Sequence, residues 1–202
     1  MILIVDYDVG NIASLVNIFD HIGILAEPTG DPERIRSAQR LILPGVGAFD
    51  KAMRALEERH LIEPIREAAL TRKIPLLGVC LGMQLLARGS EEGSLPGLNL
   101  IDADVVRIPP AENVKVPHVG WAELDSTGNS PLFPRGLHGE RFYFVHSYHM
   151  RCDNQQDVAA TIHHGSDLCA AVSRGNVHGA QFHPEKSHRF GMRLLKSFAE
   201  IN

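Results

Sequence analysis

Gly78-Val79-Cys80-Leu81-Gly82 stands between an apolar run, residues 74–79, and a second apolar stretch, residues 81–87. The first run is short and suits a strand, and the second suits a helix. Glycine, any residue, nucleophile, any residue, glycine at that junction predicts a sharp strand-to-helix turn with Cys80 at its apex. Such a turn strains the apex backbone and draws the flanking backbone close, so a side chain at 78 or 82 would clash. A chain with this element is thereby committed to packing a helix directly behind a strand.

The residues before it repeat the same unit. A strand is expected over 2–6 and a helix over Ile12, Leu15, Val16, Phe19 and Ile22, stopped by Gly23. A second strand follows over 24–27. Asp31-Pro32-Glu33 reads as an N-cap, a first-turn proline and a first-turn acid, opening a helix through residue 37. A third strand, 41–43, runs into Pro44-Gly45-Val46-Gly47, helices follow over 49–59 and 61–72, and a strand over 75–79 leads into the turn. The alternation implies an α/β fold, a central mostly parallel sheet flanked by helices. From about residue 99 the pattern changes to β-like segments at 100–107, 115–124, 141–148, 157–163, 168–173 and 177–182. They predict extra antiparallel strands that extend the sheet or form a small second layer, before a last helix over 187–200. Repeats, low-complexity tracts and long linkers are absent, so residues 1–202 are expected to form a single domain.

Composition narrows the function. Lys and Arg total 20 against 24 Asp and Glu, a net charge of −4, which argues against nucleic acid or an anionic membrane as partner. No apolar run approaches the roughly 20 residues of a membrane span. Met-Ile-Leu-Ile-Val-Asp has neither a basic region nor a small-residue cleavage site, so no signal peptide is expected. Three cysteines, Cys80, Cys152 and Cys169, are too few to staple 202 residues and point to a reducing cytoplasm. No two have zinc-site spacing, and in one strand His146 and His149 would face opposite sides, so no metal site is expected. A domain of this size also leaves little room for a large cofactor beside two substrates, and none is expected.

At the start of a helix, Cys80 would be favoured as thiolate, and the N–H of Leu81 would face a developing oxyanion. Cys152 and Cys169 have no comparable setting and read as packed thiols. A thiol nucleophile needs a base, and the base an orienting group. His183-Pro184-Glu185 follows the apolar run 177–182. Pro184 biases His183 to extended backbone, where residues two apart share a face, so Glu185 would orient the His183 ring. Taken alone, the same tripeptide reads as a surface turn. Pro44-Gly45-Val46-Gly47 reads either as further oxyanion donors or as an ordinary strand-to-helix connection. It lacks the lysine and hydroxyl residue of a phosphate loop. Trp121, the one tryptophan, suits a core or an interface.

Gly78-Val79-Cys80-Leu81-Gly82-Met83-Gln84 together with Gln181-Phe182-His183-Pro184-Glu185-Lys186-Ser187 resembles the class I glutamine amidotransferases over nearly the whole chain. Asp6-Tyr7 with Gly10-Asn11, the 44–47 loop, His118-Val119-Gly120-Trp121 and Tyr143-Phe144-Val145-His146-Ser147-Tyr148 resemble one branch, the glutaminase subunits of imidazole glycerol phosphate synthase. The alternatives are another amidotransferase subunit of the class or a γ-glutamyl thiol hydrolase. The resemblance implies Cys80, His183 and Glu185 as a catalytic triad and Gly45, Val46 and Leu81 around the oxyanion. It implies Gln84, Glu92, His146 and Ser147 as glutamine-binding residues, and Asn11, Trp121 and Lys186 at the interface with a (βα)8-barrel cyclase. It also implies low glutaminase activity until that partner is occupied. Asp8, Ala122 and His188 stand where the branch usually has glycine, asparagine and glutamine, and the departures at Asp8 and Ala122 imply differences near the partner face.

Overall fold

The computed structural model describes residues 1–201 except 113, 128–129, 135 and 137–138, and of Ser126 the backbone alone. The opening run forms β1 (Ile2–Val5), buried at every position. In α1 (Ile12–His21), Leu15, Ile18 and Phe19 are buried, at the spacing of one helical face. Gly23 ends the helix in the left-handed region (φ +72°), where the Ile24 N–H reaches back to the carbonyl of Phe19 at 2.9 Å. Ile24 therefore belongs to the helix exit, and β2 (Ala26–Thr29) starts two residues later than expected. α2 (Pro32–Ser37) opens as predicted, the Asp31 carboxylate accepting from the Glu33 N–H at 2.9 Å.

β3 (Leu41–Leu43), α3 (Phe49–Glu58), α4 (Ile62–Arg66), a π-type turn at Glu67–Thr71 and β4 (Leu76–Val79) follow. α5 (Leu81–Leu85) is shorter than expected. Leu86 and Ala87 bond three residues back, to Met83 and Gln84, and this tightening closes the helix after little more than one turn.

The second half contains β5 (Ala103–Arg107), β6 (His118–Glu123), β7 (Asp125–Ser126), β8 (Arg141–His146), β9 (Tyr148–Cys152), β10 (Val158–His163), β11 (Asp167–Arg174), β12 (Val177–Ala180) and α6 (His188–Glu200). The segment expected over 141–148 is two strands, separated at Ser147. β8 pairs with β6 in a separate two-stranded ribbon, whereas β9 joins β5 and β11 in the main sheet.

Among the described residues the main sheet has ten strands, running β2-β1-β3-β4-β12-β11-β10-β7 with β5 and β9 branching from β11. The expectation of an antiparallel strand over 177–182 holds on one side, where β12 runs antiparallel to β11, and fails on the other. β12 pairs parallel with β4, Val177 opposite Leu76 through Ala180 opposite Val79, and sits in the centre of the sheet. Both neighbours cover it and all four of its residues are buried. A strand buried on both faces carries no alternation that would reveal its neighbour or its direction. Helices pack on the two faces. Leu3 and Val5 join one apolar cluster with α3, α4 and α5, while Ile2 and Ile4 join a second with α1 and α6. The β6–β8 ribbon packs Phe142 and Phe144 into the second cluster.

Candidate active site

β3, β4 and β12 are adjacent and parallel, and they end at one edge: Leu43 lies opposite Gly78, and Ala180 opposite Val79. Each then releases a segment with candidate chemistry: Pro44-Gly45-Val46-Gly47, Cys80, and Gln181 to Glu185. The carboxyl ends of parallel strands are where open α/β sheets build their sites.

Cys80 has φ +55°, a conformation that costs a residue with a side chain of order 1–3 kcal/mol and is held only where its surroundings enforce it. The enforcement is backbone packing. A Cβ on Gly82 would lie 1.8 Å from the Leu43 carbonyl oxygen, and one on Gly78 would lie 2.6 Å from that of Gly82. The two glycines are thus requirements of close approach, as the sequence implied.

His183 has extended backbone, as the proline after it demands. Its Nδ1 lies 2.8 Å from Glu185 Oε1, and the two side chains are 6% and 2% exposed. Glu185 gets there by a different route from the one expected. Residues Pro184–Lys186 form a 3-10 turn, so the carboxylate curls back beneath the ring instead of sharing a strand face with it. The Ser187 hydroxyl donates to the His183 carbonyl at 2.6 Å and accepts from the Tyr143 N–H at 3.0 Å, and the His183 N–H donates to the Tyr143 carbonyl at 2.9 Å. The histidine is therefore tied to the ribbon twice, once directly and once through Ser187.

Because a carboxylate only accepts, Nδ1 is the protonated nitrogen, which leaves Nε2 for the thiol of Cys80. Burial alone would depress the affinity of this ring for a second proton. Hydrogen bonds to Cys80 and Glu185, and the negative charge each can carry, overcome it and push the His183 pKa up to about 9.

A cleft of about 410 Å³ opens over these residues. Val46, Leu81, Gln84, Glu92, His146 and Ser147 all line it with Cys80 and His183, so distant segments converge as expected. Gly45 does not line it. It is buried behind the wall, where a Cβ would lie 2.7 Å from the Gly82 nitrogen, and Val46 stands at the mouth. Glu92 Oε2 accepts from the Phe49 N–H at 3.0 Å and so caps α3, which follows the 44–47 loop. Gln84 is buried, its Nε2 donating to the Tyr148 carbonyl at 3.1 Å and to Gln181 Oε1 at 3.0 Å.

Sequence reasoning missed three supports. Tyr148 offers a carbonyl, which no side-chain pattern reports. Gln181 lies within a recognised motif, but its partner Gln84 is on another element. The Tyr7 hydroxyl donates to the Pro44 carbonyl at 2.6 Å beneath the loop. Burial, then the neighbouring Cys80, holds the proton on Tyr7 well beyond the usual phenol range, so it remains a donor.

Trp121 is a surface residue. It is 39% exposed, stacks on His188 with centroids 5.4 Å apart, and meets the Tyr143 ring edge-on at 5.9 Å. Lys186 lies over the same tyrosine and lines the cleft. Asn11 occupies the N-cap position of α1 without making a cap bond, next to Gly10, which packs against Pro44. Asp8 takes φ +63° and pairs with Arg59, which accounts for a position where glycine is common. Ala122, on the same ribbon as Trp121, points inward and packs on the second core cluster. His146 and His149 lie on different strands, and the described residues hold no cluster of three or more metal-ligating side chains. Cys152 and Cys169 are buried in the first core cluster.

A strained cysteine at a strand-to-helix elbow, a histidine held by a glutamate and a cleft above both define a thiol amidohydrolase of the α/β class. Residues 3–201 match the family described as glutamine amidotransferase class-I, and the chain belongs to that family. The chain is 45% identical over 201 residues to imidazole glycerol phosphate synthase subunit HisH 2 of Pseudomonas aeruginosa, covering all of both chains. It is 47% identical over 205 residues to subunit HisH of Sulfurimonas denitrificans, covering 99% of this chain and 98% of that one. Among solved structures it resembles a glutamine amidotransferase at TM-score 0.75 and 23% identity, covering 98% and 97% of the two chains, a likeness of fold.

Proposed function

We infer that this chain, as one domain over residues 1–202, is the glutaminase subunit of imidazole glycerol phosphate synthase and works in the cytoplasm. The observation that carries the chemistry is the Cys80–His183–Glu185 line beneath the cleft, with 2.8 Å between the histidine and the glutamate. Cys80 Sγ attacks the side-chain amide carbon of glutamine. The Leu81 N–H and the backbone at Val46 stabilise the oxyanion, and His183 passes its proton to the leaving nitrogen. Ammonia departs and a γ-glutamyl thioester remains. Water, deprotonated by His183, releases glutamate, while Glu185 keeps the ring in the tautomer that serves both steps. Gln84 and Glu92 hold the amino-acid end of the substrate, and His146 and Ser147 line its pocket, partly through backbone atoms. The charge of Glu92 suits an ammonium group. Each step uses only side chains, backbone and water.

The partner reading rests on the ribbon. Residues alternate across it, so His118, Phe142, Phe144 and His146 face inward while Val119, Trp121, Tyr143 and Val145 face outward. Val119 sits directly opposite Val145, and they are 57% and 38% exposed. With Trp121 at 39% and Lys186 alongside, this makes an apolar strip with a cationic rim at the mouth of the cleft. Apolar anchors within a polar rim are the makeup of a docking surface. A (βα)8-barrel cyclase seated there would receive the ammonia and use it to make imidazole glycerol phosphate and an aminoimidazole carboxamide ribotide.

The test compares glutamine hydrolysis by the isolated chain with hydrolysis beside the barrel cyclase and its acceptor substrate. A marked rise with the cyclase is expected. Equal rates would move the chain to a free-standing thiol hydrolase.

A further inference from the structure

We infer that His118 is a positioning residue for the glutamine pocket: a single hydrogen bond from its ring fixes His146, and through it the His146-Ser147-Tyr148 junction that walls the cleft. The inference rests on the glutaminase reading for its kinetic consequence, but not for the bond itself.

His118 opens β6 on the inner face of the ribbon, opposite His146 at the end of β8. Its Nδ1 lies 3.2 Å from His146 Nε2. Direction follows from the next link. His146 Nδ1 lies 2.9 Å from the Tyr148 carbonyl oxygen, which can only accept, so His146 is protonated at Nδ1. Its Nε2 is then a lone pair, and His118 must be the donor through Nδ1–H. Both rings are buried and stay neutral over the physiological range. Burial, then the adjacent His164, lowers His118 to about 4. Burial lowers His146 to about 3 against the opposing bond to Tyr148.

The donor is itself held. The His118 ring stacks on Phe144 at 5.2 Å and on His164 at 4.3 Å, and His164 is anchored by donating from Nε2 to the Lys115 carbonyl at 2.9 Å. Beyond His146 the path continues. The Tyr148 carbonyl also accepts from Gln84, on the helix that Cys80 opens, and Gln84 donates to Gln181, two residues before His183. His118 touches none of the triad. It sets the wall that faces them, so its loss should weaken glutamine binding more than turnover.

The test uses three variants of the full chain. The asparagine amide N–H overlays histidine Nδ1–H, whereas the glutamine amide overlays Nε2–H. H118A should raise KM for glutamine about tenfold, the scale of one lost buried hydrogen bond, with kcat within about threefold of the parent. H118N should restore KM to within about threefold, and H118Q should not. If H118A does not fold, the H118N and H118Q pair carries the comparison alone. Ring 15N spectra give a readout independent of activity: the His146 Nε2 signal should keep its hydrogen-bonded shift in H118N and lose it in H118Q. Equal KM for H118N and H118Q, a loss confined to kcat, or an unmoved His146 signal would each overturn the assignment. If the parent chain hydrolyses no glutamine, the functional reading fails while the spectra still decide the bond.

Discussion

The backbone N–H of Cys80 donates to the carbonyl of Ala180 across 2.7 Å. It is the first bond past the Val79–Ala180 rung, so the pairing of β4 with β12 runs right up to the nucleophile. The strand that positions the thiol is thereby registered against the strand that positions its base. Thiol and imidazole come from segments far apart in the chain, yet a slip of one residue between two buried strands would separate them.

Glu185→Gln removes the charge that favours the protonated His183 ring and reverses the donor sense at Nδ1. Glutaminase kcat should fall by about 10⁴, as when the orienting acid of a triad is made an amide. The His183 pKa, read from ring NMR, should drop from about 9. An unchanged pKa would mean that Cys80 alone holds the proton there.

Cys80→Ala should abolish glutamine-dependent product formation in the complex with the cyclase and spare formation driven by added ammonia. Parallel assays with the two nitrogen sources check this, and loss of both would make Cys80 structural.

Gly82→Ala places a methyl group 1.8 Å from the Leu43 carbonyl oxygen, and neither backbone has room to give. A loss of more than about 4 kcal/mol is expected, at the severe end for single substitutions. Chemical denaturation measures it, and a fully stable variant would show the elbow to be more plastic than its packing implies.

Stability should fall on both sides of about pH 6.5. The folded pKa of His183 is raised, so its contribution is complete below the unfolded value near 6.5 and disappears as pH climbs through about 9, a loss of up to about 3 kcal/mol. His178 behaves oppositely. Burial lowers it to about 4, so the folded state binds fewer protons than the unfolded one and is destabilised as pH drops below 6.5. His178→Asn should shrink the difference in unfolding free energy between pH 7 and pH 5 by about 2 kcal/mol. Urea titrations at pH 5, 7 and 9.5 check both limbs.

Val119→Glu puts a charge in the centre of the apolar strip at a position 57% exposed. The melting temperature of the isolated chain should be unchanged, and affinity for the barrel cyclase should fall by about tenfold or more, as for loss of an interface anchor. Unaltered affinity would place the partner on another face.

Several elements were legible because their signals are local. The N-cap at Asp31 and the stop at Gly23 each lie within a few residues of what they cause. The glycines at 78 and 82 announced close packing on both sides of Cys80, and the packing is there. By contrast, 141–148 looked like one strand because its apolar pattern does not break at Ser147. The break arises from a change of partner, from β6 to β5, and partner choice leaves no mark in a single segment.

By itself the sequence determined the α/β alternation, the elbow that carries Cys80, the extended backbone at His183, and the resemblance of its motifs to the class I amidotransferases. Steric limits on glycine and proline, and the periodicity of apolar residues, act between near neighbours and can be read along the chain. Only the tertiary structure decided that β12 enters the centre of the sheet in parallel beside β4, that Glu185 reaches His183 through a 3-10 turn, that Gly45 lies behind the cleft, and that His118 holds His146. Those outcomes depend on which buried surfaces meet and on polar groups finding partners far off in sequence. Such contacts form only when the whole core closes.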